Sequence, residues 1–243
     1  MKQLAALLVL ALSLGTGRAE DDAVSLLRRV MTNRPTKDLS LKGRLFVTRE
    51  QAVPVEVLIH HTPADTRTIY RGDKTELLVI QPLEASPQYF LKGEGELTGA
   101  RRMEKLLGSQ FVFYDLGLPF LRWPVAKFLS EERMRGRDCY LIEARAEKEP
   151  YAYVKLWLDK EYGALLSMVA FDADDQPVRR FSVNSFKHMG AVWIPRGMES
   201  AFVPAGQAMP AEVRSRLEIY DGNYDAKLPV EWFDPAGFGA AAP

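Results

Sequence analysis

Cysteine is almost absent from this chain of 243 residues: Cys139 stands alone, so no internal disulfide can form. Long hydrophobic runs are also missing. The longest, Leu4 to Leu14, is broken only by Ser13. As a helix it reaches about 16 Å, well short of a bilayer core of about 30 Å, and an uncleaved anchor is the alternative to a secretory signal. Neither sign of charge dominates, since 32 Lys and Arg face 32 Asp and Glu. That balance excludes binding to nucleic acid through backbone neutralisation. The chain lacks G-x-S-x-G, H-E-x-x-H, C-x-x-C and P-loop motifs. Gly93, Gly95 and Gly99 miss the dinucleotide fingerprint by one residue and precede no βαβ unit. Asp172, Asp174 and Asp175 lack the glycine and distal glutamate of an EF-hand and read as a hairpin turn. His60 and His61 are neighbours on a strand, point to opposite faces and cannot hold one metal together. No catalytic residue, metal or cofactor is expected.

Apolar residues make up 47% of the chain, enough for a substantial core without staples. The first nineteen residues read as a secretory signal. Lys2 supplies the positive start, Leu4 to Leu14 the apolar run, and Gly17 and Ala19 the small residues of a cleavage site. Two segments are therefore expected: a signal peptide over 1–19 and one domain over 20–243. Removing the first takes away Lys2 and Arg18 and leaves 30 basic and 32 acidic side chains. An exported chain without bridges that holds itself together by burial suggests the periplasm.

Asp21 to Arg34 predicts a helix, with Val24, Leu27, Val30 and Met31 at helical spacing and Pro35 as its stop. Beyond it the period changes from 3.6 to 2. Strands are expected at Leu39–Val47, Val53–Ile59, Thr66–Tyr70, Glu76–Gln81 and Gln88–Leu91. Gly99–Leu107 looks helical, and Leu118–Arg133, broken by Pro119 and Pro124, looks helical or irregular. Six strands follow: Cys139–Ala146, Tyr151–Leu158, Ala164–Phe171, Val178–Lys187, Ala191–Val203 and Glu212–Tyr220. About eleven strands in series with two or three helices give a mainly β (α+β) fold built on one large curved antiparallel sheet.

Other strands, such as Glu212–Tyr220, have one apolar face, but Tyr151–Leu158 and Ala164–Phe171 have two. On the former, Ala152, Val154, Leu156 and Leu158 lie on one side and Tyr151, Tyr153 and Trp157 on the other. Either packed helices cover that second face or it lines an apolar cavity able to take acyl chains. The candidate cavity residues are Phe46, Leu58, Tyr151, Tyr153 and Trp157.

Several stretches resemble the LolA-like outer membrane lipoprotein-sorting protein family. They are Phe113–Leu116, Phe120 with Trp123–Pro124, Gly136–Tyr140, Tyr153–Asp159, Phe171–Asp172 to Val178, and Leu228–Pro229 with Trp232–Phe233. The resemblance runs from about Asp21 to Phe238. It implies an unclosed β-barrel lidded by helices, with no enzymatic activity, whose interior receives lipoprotein acyl chains or other lipid. An inner-membrane exporter and an outer-membrane acceptor are the partners it implies. The family places a Lys-Arg-Pro run after an early strand, and that arginine holds the lid closed. Here the matching stretch is His61–Thr62–Pro63, with Arg67 the nearest replacement cation. Candidate lid or partner residues are thus Arg67, Phe120, Leu121 and Trp123. The competing reading is an envelope accessory module that docks on an inner-membrane exporter or another envelope protein, with a dry interior and an exposed patch at Phe120, Leu121 and Trp123.

Overall fold

A computed structural model describes residues 16–203 and 213–239, with side chains from residue 22 onward. The signal segment lies largely outside the described residues. Helix α1 spans Thr16–Thr32, starting earlier than Asp21 and ending before Asn33. Ala23 and Leu27, one turn apart, are fully buried, and Val30 and Met31 continue the same stripe. Burial of Leu27 alone contributes about 2 kcal/mol to docking the helix. Thr32 Oγ1 donates back to the Arg28 carbonyl at 3.0 Å, and Pro35 forbids continuation.

Among the described residues, thirteen strands form one antiparallel sheet. They are β1 (Leu39–Phe46), β2 (Ala52–His61), β3 (Asp65–Gly72), β4 (Thr75–Pro82), β5 (Gln88–Leu91), β6 (Gly95–Glu96) and β7 (Val125–Met134). Next come β8 (Arg137–Arg145), β9 (Tyr153–Asp159), β10 (Leu165–Phe171), β11 (Pro177–Met189), β12 (Val192–Phe202) and β13 (Arg214–Tyr224). Their order is β6-β5-β4-β3-β2-β1-β13-β12-β11-β10-β9-β8-β7. Two meanders are joined where β13 returns beside β1, and β6 and β7 are left as separate edges. The sheet is therefore an unclosed barrel. The β1–β13 seam runs in register from Leu45 opposite Leu217 and shifts between Lys42 and Gly43. A Cβ at Gly43 would stand 2.7 Å from the Glu218 carbonyl oxygen, so only glycine fits there.

Between β6 and β7 lie short 3-10 turns at Gly99–Met103, Leu106–Gly108 and Pro119–Arg122, and helix α2 (Phe113–Leu116). Two expectations change here. Gly99–Leu107 is two tight turns rather than one helix. The expected helical or irregular stretch ends at Pro124, beyond which β7 begins, because prolines break a strand only where they stand.

Alternation sets the two faces. Leu77 and Val79 of β4 join the main core inside the curve, with Leu39, Leu41 and Leu45 of β1. Leu58, Ile69, Leu78 and Ile80 point outward and are covered by Phe233 and Phe238. Those aromatics come from the 3-10 turns Val230–Phe233 and Pro235–Phe238. The second layer of apolar side chains thus sits on β2–β4, under the C-terminal segment.

Candidate functional site: a lidded apolar cavity

Inside the curve, between the sheet and α1, lies a cavity of about 620 Å³. Its wall takes residues from both wings of the sheet, among them Ile59 from β2 and Leu165 from β10. Met31 of α1 and Leu118 and Leu121 of the α2 region close it. Trp193, at the tip of the β11–β12 hairpin, lines the cavity and is 57% exposed, which marks an opening.

The residues just after α1 tie the lid to both wings. Asn33 Nδ2 donates to the Tyr162 carbonyl in the loop between β9 and β10. Its neighbour Arg34 donates from Nη2 to the carbonyls of Thr62 (2.8 Å) and Pro63 (3.2 Å), and from Nη1 to Thr66 Oγ1 (2.8 Å). Consecutive residues can reach opposite wings only because the sheet curls. The α2 region is tied down separately, by Gln81 Nε2 to the Gly117 carbonyl (3.0 Å), the Tyr89 hydroxyl to the Tyr114 carbonyl (2.8 Å) and Arg122 Nε to the Pro82 carbonyl (2.7 Å).

Polar groups in the wall are held in specific ways. Asp115 accepts from Arg179 Nε (2.8 Å) and the Tyr151 hydroxyl (2.8 Å). Burial pushes its carboxyl up, against the opposing pull of the arginine and the tyrosine. Asp159 pairs with Arg137 at 2.8 Å. Burial, followed by the Arg34 charge, pulls His61 down to about 4, so its ring is neutral at pH 7. The Thr66 hydroxyl, accepting from Arg34, has its own hydrogen to offer His61 Nδ1 at 3.2 Å. His61 Nε2 is buried without a partner among the described residues.

The residues singled out in the sequence lie mostly elsewhere. Phe46 sits under the Arg216 guanidinium, 4.5 Å from ring centroid to Cζ. Leu58 belongs to the outer cluster beneath Phe233. Tyr153 stacks on Phe171 at 4.6 Å with Arg145 above it, and Trp157 Nε1 donates to Glu132 at 2.8 Å. Tyr151 supports Asp115 from behind the wall. The second apolar face of β9 is thus roofed by long charged side chains on the outside of the sheet. Phe120, Leu121 and Trp123 are buried (0%, 4% and 5% exposed), so they form no docking patch, and only Leu121 reaches the cavity. Arg67 pairs with Asp65 (3.1 Å) and donates to the Phe233 carbonyl (3.1 Å), which fastens the C-terminal segment. Thr62, where the family has its arginine, turns the hairpin by donating to Asp65 Oδ1 and accepting from the Asp65 amide. Arg34, which sequence reading passed over, provides the tie. Its position between the helix and Pro35 was the available signal.

Cys139 is buried in β8. Among the described residues no three His, Cys, Asp or Glu side chains gather as a metal site, and no helix is long and apolar enough to cross a membrane.

A family model described as an uncharacterized protein matches residues 91–238. No curated protein matches the chain. Solved structures are similar in fold. One is a DUF1329 family protein from Desulfovibrio piger, 16% identical, with a TM-score of 0.75 over 90% of this chain and 99% of that one. Another is a domain from Vibrio parahaemolyticus described as an outer membrane lipoprotein-sorting protein, 13% identical, TM-score 0.75, covering 89% and 97%. A third is a LolA superfamily protein from Nitrosomonas europaea, 14% identical, TM-score 0.55, covering 87% and 97%. The fold is LolA-like.

Proposed function

We propose, for a chain that belongs to the uncharacterized family matched over residues 91–238, a role as a non-enzymatic periplasmic binder or carrier of lipid acyl chains. The observation that carries this reading is the cavity of about 620 Å³, apolar in most of its lining and closed by a helix fastened to both wings. Its size falls in the range of roughly 300–1,000 Å³ found for small-molecule sites. Each methylene sheltered there contributes about 0.8 kcal/mol, which is what moving an acyl chain across water requires. The secretory signal read over 1–19 would deliver the chain to such a space, and the likeness to a lipoprotein-sorting domain supports lipoprotein acyl chains as one cargo class.

The cavity's ionisable groups support binding rather than turnover. Asp115 and Asp159 are each committed to an arginine, and the His61 ring meets only the Thr66 hydroxyl, which also accepts from Arg34, with no carboxylate hydrogen-bonded to the ring among the described residues. The docking-module reading loses the exposed patch it needed, since Phe120, Leu121 and Trp123 are buried. Native mass spectrometry of protein purified gently from a periplasmic extract tests the proposal. A stoichiometric acyl-bearing adduct is expected. A bare protein that also ignores a fluorescent fatty acid would overturn it.

A further inference from the structure

The charges around the cavity specify the head of its occupant, on the reading that the cavity takes acyl chains. Five Asp and Arg side chains line it: Arg34, Asp115, Arg122, Arg137 and Asp159. Asp159 is neutralised by Arg137, and Asp115 by Arg179 behind the wall. Arg34 and Arg122 remain, and neither has an ion-pair partner among the described residues, where their acceptors are carbonyls and a hydroxyl. Of the five N–H groups on each guanidinium, three are used on Arg34 and two on Arg122.

The two cations share one end of the cavity. Arg34 is anchored on the Thr62 and Pro63 carbonyls, and Arg122 on that of Pro82. These rim segments are joined directly, by the Leu83 amide to the Ala64 carbonyl at 3.1 Å. Like charges held close beside an apolar space are costly unless an anion lies between them. The opposite end has Leu165, Leu166, Val183 and Phe186 from the far wing, and the charges beside them, Arg137 and Asp159, neutralise each other at 2.8 Å.

We propose that the occupant is an anionic amphiphile whose carboxylate or phosphate head sits between Arg34 and Arg122 while its alkyl chain extends towards Leu165 and Phe186. An acylated lipoprotein N-terminus fits this charge pattern poorly, because its amide and ester linkages bring no charge to the two guanidinia. A free fatty acid or an anionic phospholipid supplies what the cavity lacks.

The test uses the delipidated full chain and a matched pair of probes, dansyl-undecanoic acid and its uncharged methyl ester. The acid is expected to bind about tenfold more tightly than the ester. The Arg34→Gln/Arg122→Gln double variant, and Arg122→Gln alone should the double variant not fold, are expected to shrink that acid-to-ester ratio towards one, whatever the change in ester affinity. A folded variant that keeps the wild-type ratio would overturn the assignment. Equal binding of acid and ester to the wild-type protein would overturn the headgroup assignment and leave the carrier reading standing. Failure of both probes to bind would overturn both. A long-chain phosphate that displaces the acid probe, where inorganic phosphate does not, would support a lipid head over a free anion. Displacement by inorganic phosphate at the same concentration would overturn it.

Discussion

Replacing Asp115 with alanine should be among the most damaging single changes in this protein. Asp115 and Arg179 are 4% and 6% exposed, joined at 2.8 Å, and Arg179 also donates to Ser200 Oγ at 3.1 Å and to the Gln110 carbonyl. The alanine variant leaves a guanidinium charge buried on two neutral acceptors and strands the Tyr151 hydroxyl. Breaking such a pair from one side costs about 3–5 kcal/mol. At about 2–4 °C per kcal/mol for a domain of this size, the midpoint should fall by about 6–20 °C. Removing both charges should be much milder. The double variant Asp115→Leu/Arg179→Met replaces the pair by apolar groups of similar size and is expected to lie within about 2 kcal/mol of the wild type. Urea unfolding at constant slope, on both single variants and the double, gives the coupling directly. A loss below about 1 kcal/mol for Asp115→Ala, or a double variant as unstable as the two singles added, would refute the reasoning.

Three further outcomes are expected. His61 has a folded-state value of about 4 against an ordinary 6.5, so the folded protein binds fewer protons and its stability falls as the pH drops through that window. His61→Gln should flatten the slope in pH-dependent unfolding below pH 6.5; an unchanged slope would be the contrary result. Ile59→Trp, which pushes a ring into the cavity, should abolish binding of a fluorescent fatty acid with little change in midpoint, whereas Trp157→Glu on the outer face should leave binding intact. Gly117→Ala would put a Cβ 2.2 Å from the Tyr89 hydroxyl, break its bond to the Tyr114 carbonyl and cost about 1–3 kcal/mol by thermal unfolding.

Alternation along the chain made most of the sheet legible, since a half-buried strand writes its two faces into its residues, as β1 and β4 do. β7 was lost because two prolines precede it closely and its Glu131, Glu132 and Arg133 mask the pattern. The two apolar faces of Tyr151–Leu158 were legible too, but their meaning was not. A period of two says that Tyr153 and Val154 point to opposite sides; it does not say which side is concave. Val154 joins the core inside the curve, and Tyr153 lies outside under Arg145. The cavity was harder still, because its wall is assembled from residues far apart in sequence, such as His61, Arg122 and Leu165. Only the curl of the sheet brings them together. The arginine latch expected on the β2–β3 hairpin is supplied from the other side of the contact, by Arg34 at the end of α1.

Photo-crosslinking with a fatty acid carrying a diazirine near its methyl end, followed by peptide mapping, tests most directly whether acyl chains enter between α1 and the sheet. Adducts are expected on cavity residues such as Leu165, Phe186 and Met198, competed away by unlabelled fatty acid. Adducts confined to the outer face around Tyr153, Phe171 and Trp232, or none that unlabelled fatty acid displaces, would contradict it.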